Sequence, residues 1–195
     1  MCRAERIVWF TVTQILSADG QTALLVVDVQ KDVVADAWHR AEIVGRIVEL
    51  VRGARDAGVP VVWVRHGDED LLAGTDGWQI VPELVPAPGE AVVDKHHGDS
   101  FEDTDLGDIL AELGIRHVVV CGLQSDGCVL ATLFGGFVRG YDMTLVGDAH
   151  TTNDRAKFGV HAPVADIIAM VNFIWERRTA PQRKAAVTTT QSITW

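Results

Sequence analysis

The chain has 195 residues, of which 48% are hydrophobic and 23% are charged, so its composition suits one globular domain with a sizeable core. The formal net charge of -10 argues against nucleic acid and anionic membranes as partners, because both bind basic surfaces. No uninterrupted apolar run reaches the roughly 20 residues that cross a bilayer.

The first 21 residues are predicted to form an N-terminal extension. Early arginines and the stretch IVWFTVTQIL give them a faint likeness to a signal peptide. Polar residues interrupt the apolar stretch, however, and no A-x-A cleavage pattern follows. The three cysteines, Cys2, Cys121 and Cys128, show neither CxxC nor zinc-ligand spacing, so we expect reduced thiols in the cytoplasm.

From residue 22 to residue 178, predicted strands and helices alternate. Their continuous apolar strands are typical of a parallel sheet that helices cover on both faces. The strands are predicted at 23–29, 59–66, 91–95, 116–122 and 141–148, and the helices at 41–58, 104–114, 127–140 and 163–178.

Two segments have no clear periodicity. Residues 66–90 are rich in glycine and proline, and a loop of this length in a compact domain is often functional. Residues 179–195 are mostly polar and are predicted as a C-terminal tail, which could serve as a docking arm or be frayed.

Chemically active side chains stand where the predicted strands end. Asp28 follows the first strand, Lys95 ends the third, and Cys128 follows the fourth. Ligands of open parallel sheets bind beyond the carboxyl ends of the strands, so these three side chains are expected to meet there. Asp148 ends the fifth strand, and we interpret it as a structural cap.

Cys128 has two interpretations, as a small buried residue or as a nucleophile. It falls in the first turn of a predicted helix, where unpaired N–H groups and the helix dipole favour a thiolate and could receive an oxyanion. Gly122 and Gly127 would let the backbone turn sharply. Asp28 could accept the thiol proton and Lys95 could hold both charges, although a purely structural ion pair is the alternative.

Further residues at the same edge are candidates for substrate or metal binding. Gln30 and Trp78 are candidate substrate-binding residues, although Trp78 could equally anchor the long loop. His66, His96, His97 and His150 raise the question of a metal, but no HExxH motif or regular ligand spacing accompanies them. We therefore expect no metal.

Three blocks resemble the isochorismatase-like cysteine hydrolase superfamily over residues 22–176. They are ALLVVDVQKD, VVDKHHGDSFEDTDL and VVVCGLQSDGCVLAT continued by GYDMTLVGDAHTT. The resemblance implies a Rossmann-like three-layer α/β/α fold and a catalytic triad of Asp28, Lys95 and Cys128. It also implies a cis peptide bond between Leu123 and Gln124, with the amides of Gln124 and Cys128 forming the oxyanion hole.

Departures from the family pattern reduce the number of activities that the resemblance implies. The segment VRHGDEDLLAG lacks the Asp-x-His metal motif of nicotinamidases, and Val33 replaces the usual aromatic residue after the first block. The remaining pattern is most similar to amidases, including streptothricin hydrolase-like enzymes. The resemblance thus implies a homo-oligomeric hydrolase that needs no cofactor and opens a small amide, lactam or carbamoyl compound through a Cys128 thioester.

Two other functional classes remain open at this point. One is a non-catalytic member of the same fold that binds a ligand or partner. The other is a thiol redox protein in which Cys121 resolves a Cys128 disulfide, although the missing CxxC motif weighs against it.

Overall fold

The computed structural model describes residues 22–195. The N-terminal extension predicted for residues 1–21 lies outside these described residues. No helix in the described part is long and apolar enough to cross a membrane.

A seven-stranded sheet forms the centre of the protein, in the order β3-β2-β1-β4-β5-β7-β6. All neighbouring strands run parallel except β6 and β7, which are antiparallel. The predicted α/β fold is thereby confirmed. The strands are β1 (Thr22–Val27), β2 (Val61–His66), β3 (Ala91–Lys95), β4 (His117–Leu123), β5 (Asp142–Thr151), β6 (Thr179–Ala180) and β7 (Arg183–Thr188).

Helices cover both faces of the sheet, which explains why the central strands are apolar without alternation. Successive side chains of a strand point to opposite faces, and in β1 both faces are buried. Leu24 and Val26 pack on the α2 side, whereas Leu25 and Val27 pack with α3, α4 and α5. The helices are α1 (Lys31–Val34), α2 (Arg40–Asp56), α3 (Leu106–Glu112), α4 (Leu130–Val138) and α5 (Val164–Glu176).

The C-terminal segment differs from the predicted tail. Strand β7 pairs with β5 and extends the sheet, and β6 pairs with β7 at the edge. Beyond β7, Ile193 and Trp195 pack against the core on the α2 side. The sequence RKAAVT lacks the continuous apolar pattern of a central strand because this part of the sheet is only half covered.

Gly122 lets β4 approach β1 closely at the carboxyl ends of the two strands. It has a φ of 122°, and a Cβ there would stand 2.0 Å from the Val27 carbonyl oxygen. Gly122→Ala is therefore expected to lower the free energy of unfolding by more than about 4 kcal/mol. Urea denaturation measures this, with Gly107→Ala as the control, since a Cβ at Gly107 in α3 meets nothing within 4 Å. Equal stability of the two variants would contradict the close approach.

Candidate active site

The site begins at the carboxyl end of β1, where Asp28 leaves the strand. Its φ of 51° is left-handed, which is uncommon for a residue with a side chain and is typical of functional sites. The Asp28 N–H donates to the Val64 carbonyl at 3.0 Å, so β2 fixes this turn. The Asp28 carboxylate is thereby held almost completely buried at the sheet edge.

Lys95 supplies the charge opposite to that of Asp28. Its side chain is fully buried, and Nζ lies 2.8 Å from Asp28 Oδ2. Nζ also donates to the His97 carbonyl at 3.1 Å and lies 3.2 Å from His66 Nδ1. Apart from Lys95 and the Cys128 thiol, no described group comes close enough to hydrogen-bond either Asp28 oxygen. The two buried charges therefore depend on each other.

His66 is a member of this cluster that the sequence analysis left unassigned. Because Lys95 donates towards Nδ1, we assign the ring proton to Nε2, which donates to Asp68 Oδ2 at 2.9 Å. The Asp68 pKa is lowered, mainly by this hydrogen bond from His66. The position of His66 at the end of β2, beside β1 and β3, was the available signal.

Cys128 lies in a π-helical turn, Ser125–Val129, that leads into α4. The Gln124 carbonyl closes this turn by accepting from the N–H groups of Gly127 at 3.0 Å and Val129 at 3.1 Å. Cys128 Sγ, an Asp28 carboxylate oxygen and a His66 ring nitrogen lie within 4.8 Å of one another. Asp28, Lys95 and Cys128 therefore meet at the sheet edge.

The protonation of Cys128 differs from the expectation of a thiolate at a helix start. Burial, followed by the charge of Asp28, raises the pKa of the Cys128 thiol to about 11, and Lys95 opposes the shift. The resting sulfur is therefore a thiol at neutral pH, and a role as nucleophile would require a proton acceptor. Burial also raises the pKa of Asp28, against the pull of Lys95, which makes this carboxylate a stronger base.

The peptide bond between Leu123 and Gln124 is cis, as the resemblance implied. The side chain that follows is held from a separate loop, because Arg155 donates to Gln124 Oε1. Arg155 also pairs with Asp126 at 2.9 Å and donates to Thr152 Oγ1 at 2.7 Å. These contacts join the segment after β5 to the turn that carries Cys128, and nothing in the sequence around Arg155 indicated them.

A cavity of about 320 Å³ opens above Asp28 and Cys128, a volume suited to a small ligand. Its lining comprises Asp28, Asp32, Val33, His66, Asp68, Asp70, Leu71, Gln124, Gly127 and Cys128. The predicted long loop therefore contributes one wall. A larger cleft of about 630 Å³ lies near Arg116 and Tyr141, at the opposite edge of the sheet, and no cysteine, histidine or carboxylate among residues 22–195 lines it.

Neither of the candidate substrate-binding residues, Gln30 and Trp78, lines the cavity above Cys128. The buried Gln30 amide donates to the carbonyls of His66 at 2.9 Å and Trp78 at 2.8 Å, and its oxygen accepts from the His66 N–H at 2.8 Å. Trp78 is buried under the Arg65 guanidinium, which lies 3.7 Å from its ring centroid. Both residues anchor the long loop to β1 and β2, because the Gln30 side-chain amide is occupied by backbone groups and the Trp78 ring packs under Arg65.

An isochorismatase domain model matches residues 22–163, well over half of the chain, including Asp28, Lys95 and Cys128. The chain belongs to the isochorismatase family. Two streptothricin hydrolases of Streptomyces noursei are 39% and 38% identical to it over 139 and 141 residues, each match covering 68% of this chain. These matches cover 55% and 50% of the relatives, so the chain spans about half the length of the curated proteins it resembles.

Comparison with solved structures shows that the similarity in fold covers most of the chain. A cysteine hydrolase from Pseudomonas syringae superposes with a TM-score of 0.80 at 25% identity, covering 88% of this chain and 89% of the other. N-carbamoylsarcosine amidase from Thermoplasma acidophilum superposes with a TM-score of 0.71 at 26% identity, covering 90% of this chain and 99% of the other.

Three neighbouring side chains could also provide ligand atoms for one metal ion, namely those of Asp28, His66 and Cys128. Lys95 Nζ, however, contacts two of these three residues, Asp28 and His66. A metal ion beside the ammonium group would be repelled by it. In this member of the isochorismatase family, the arrangement favours Lys95 as the cation of the cluster.

Two further residues, Cys121 of β4 and Asp148 of β5, have structural surroundings. Cys121 is buried among residues on the α2 side of the sheet, whereas Cys128 packs on the opposite side, which argues against a disulfide between them. Burial raises the pKa of the Cys121 thiol. Asp148 Oδ1 accepts from the Thr190 N–H at 2.8 Å and ties β5 to the C-terminal segment. Asp148 therefore has a structural role, as expected, although β5 continues to Thr151 and Asp148 does not end the strand.

A polar network of hydrogen bonds joins the turn that carries Cys128 to β5 and α5. Ser125 Oγ lies 2.7 Å from His150 Nδ1, and His150 Nε2 lies 3.0 Å from Asn172 Oδ1. Asn172 Nδ2 donates to the Gly147 carbonyl at 3.0 Å, so its oxygen is free to accept from His150. We therefore assign a neutral His150 that donates from Nε2 and accepts from Ser125 at Nδ1. Burial lowers the pKa of His150.

This network predicts a pH dependence of stability. The unfolded chain binds a proton at His150 below about pH 6.5 that the folded chain resists, so stability falls as pH decreases. His150→Gln should remove on the order of 1 kcal/mol from the loss that the wild type shows between about pH 7 and pH 5. Urea denaturation across this range tests the expectation, with the exposed His161→Gln as control. An unchanged slope in His150→Gln would contradict the neutral assignment.

Proposed function

We propose that the protein is a cysteine hydrolase that cleaves a C–N amide bond through a thioester on Cys128. The observation that carries this proposal is the buried cluster in which Sγ, the Asp28 carboxylate and the Lys95–Asp28 ion pair converge beneath an open cavity. A nucleophile, a base and a charge that holds the base are the parts that covalent acyl transfer requires. The names of the amidase and hydrolase relatives support the same class of reaction.

The first half-reaction forms the acyl-enzyme. Asp28 takes the proton of the Cys128 thiol as Sγ attacks the carbonyl carbon, and the carbonyl oxygen becomes an oxyanion facing the amides of Gln124 and Cys128. Lys95 stabilises the charge that moves between Asp28 and Sγ. The C–N bond then breaks as Asp28 returns the proton to the leaving nitrogen, and a thioester remains.

The second half-reaction restores the enzyme. Water loses a proton to Asp28 and adds to the thioester carbon, again with the oxyanion held by the turn. The C–S bond breaks, the acid departs, and Asp28 returns its proton to Cys128. Each proton that Asp28 accepts is thus donated again, so the carboxylate ends in its starting state.

The experiment that tests this proposal is acyl trapping. The protein is screened against small amides, lactams and carbamoyl compounds for release of ammonia or acid, and intact mass is recorded during turnover. We expect an adduct of the acyl mass that maps to Cys128 and persists in Cys121→Ser. Turnover that proceeds with no adduct and unchanged in Cys128→Ala would overturn it.

A non-catalytic binding protein remains the alternative function, and alkylation of the thiol does not separate the two. Because the pKa of Cys128 is raised to about 11, slow reaction with iodoacetamide at neutral pH is expected of an enzyme as well. The acyl adduct discriminates, since a binding protein has no step that forms one.

We also propose that the protein acts in the cytoplasm as a homo-oligomer. A reducing compartment keeps the reacting thiol free, as the mechanism requires. For self-association, α5 offers an exposed apolar face, with Met170 57% and Phe173 52% exposed. Sedimentation velocity is expected to show a multimer that Phe173→Asp dissociates and the control Glu112→Gln, at an exposed position of α3, does not. A monomeric wild-type protein would contradict the proposal.

A further inference from the structure

We propose that the substrate amide carries a positively charged group, an ammonium or a guanidinium, that lies at the mouth of the Cys128 cavity. This inference rests on the proposed hydrolase function and names the substrate class for the same site. The observation behind it is that four carboxylates line the cavity, those of Asp28, Asp32, Asp68 and Asp70, whereas no lysine or arginine from the described part of the chain lines it.

Among the described residues 22–195, Asp28 is the one of these four carboxylates that pairs with a lysine or arginine. Asp28 pairs with Lys95 at 2.8 Å. Asp68 accepts from His66, which we assign as neutral, and from the backbone N–H groups of Asp70 and Leu71. Within residues 22–195, no lysine, arginine or histidine nitrogen lies within 4.0 Å of the carboxylates of Asp32 and Asp70. The cavity therefore has an uncompensated negative charge.

The cations that flank the cavity are each occupied elsewhere. Lys31, beside Asp32 in sequence, pairs with Asp76. Arg65, beside His66, pairs with Asp94 at 2.7 Å. Arg155, which holds the Gln124 side chain, pairs with Asp126 at 2.9 Å. Each of these cations already faces a carboxylate, so none offsets the charge of the cavity lining.

The exposure of the groups that line the cavity predicts how the substrate is oriented in it. Asp32, Asp68 and Asp70 are exposed, whereas Asp28 is buried and Cys128 is half-buried. An amide carbonyl that reaches Cys128 would leave a cationic end among the three exposed aspartates. Val33 and Leu71 line the same cavity and offer apolar contact to the carbon chain between the two ends. A concave site lined by one sign of charge concentrates the opposite sign and repels an anionic substrate.

The first test compares three amides that differ only in terminal charge. These are 6-aminohexanamide, hexanamide and the monoamide of hexanedioic acid, with kcat/KM measured at low and high ionic strength. At low salt we expect the cationic amide to exceed the neutral one by about tenfold or more, and the neutral one to exceed the anionic one. The preference should weaken strongly in high salt, where exposed charges are screened.

Binding to Cys128→Ala protein separates this inference from the proposed function. Calorimetry with the same three amides reports the charge preference without turnover. Tighter binding of the cationic amide, with no hydrolysis and no Cys128 adduct from any compound of the screen, would refute the function and leave the charge inference standing. Equal hydrolysis or equal binding of all three amides would refute the charge inference and leave the function intact.

Two aspartate variants and one matched control locate the effect. Asp32→Asn and Asp70→Asn should each lower the ratio of cationic to neutral kcat/KM by about three- to tenfold. Asp56→Asn removes the same charge from an exposed position at the end of α2, away from the cavity lining, and should leave the ratio unchanged. Equal falls in all three variants would assign the preference to net charge alone and overturn the proposed site.

Discussion

Asp28→Asn is expected to lower kcat/KM for the amide substrate by about 10³-fold or more while lowering the pKa of the Cys128 thiol. The two effects have one cause. The Asp28 charge helps to raise the thiol pKa, so its removal makes the thiolate easier to form, but no base is then left to relay the proton. The loss of rate would therefore occur in spite of a more acidic nucleophile.

Ultraviolet absorbance of the thiolate across a pH titration measures the pKa, and steady-state kinetics measure the rate. Cys128→Ala supplies the absorbance baseline, and Cys121→Ser shows that the signal belongs to Cys128. If Asp28 served only to hold Lys95, the variant with the more acidic thiol would keep or gain activity. That result would remove Asp28 as the proton acceptor.

The sequence was sufficient to predict that Asp28, Lys95 and Cys128 lie close together, because their positions follow from a rule of topology. Asp28, Lys95 and the segment leading to Cys128 each follow a parallel strand, and parallel strands deliver their carboxyl ends to one edge. The positions along the chain were sufficient for this, and no side-chain geometry had to be known. The same rule brings His66 to the site, since it ends the strand between those of Asp28 and Lys95.

Features set by side-chain packing could not be predicted in this way. The contact of Arg155 with Gln124 joins two loops whose meeting no periodic pattern encodes. The Gln30 amide turns to backbone groups of the long loop, although its place after Asp28 suggested a substrate contact. The thiol state of Cys128 depends on its burial, which overrides the helix start from which a thiolate was expected. Strand β7 lacked a strand-like pattern because it lies near the sheet edge.

Lys95→Met is expected to lower the free energy of unfolding at neutral pH by about 3–5 kcal/mol, because it leaves the Asp28 carboxylate buried without its partner. The double variant Asp28→Asn/Lys95→Met should recover most of that loss, since no unpaired charge then remains in the core. Urea denaturation measures both. Arg40→Met is the control, because its 3.1 Å pair with Glu83 is exposed and is expected to be worth no more than about 1 kcal/mol.

The pH dependence of Lys95→Met gives the second part of this expectation. Burial raises the pKa of Asp28, and without Lys95 nothing opposes that shift, so the folded variant binds a proton more readily than the unfolded chain. Its stability should therefore fall as pH rises from about 4 through the raised pKa, and the difference from wild type should shrink at low pH. A loss that is the same at all pH values would mean that Lys95 stabilises the fold by packing alone. The ion pair would then not be what keeps Asp28 ionised and ready to accept the Cys128 proton.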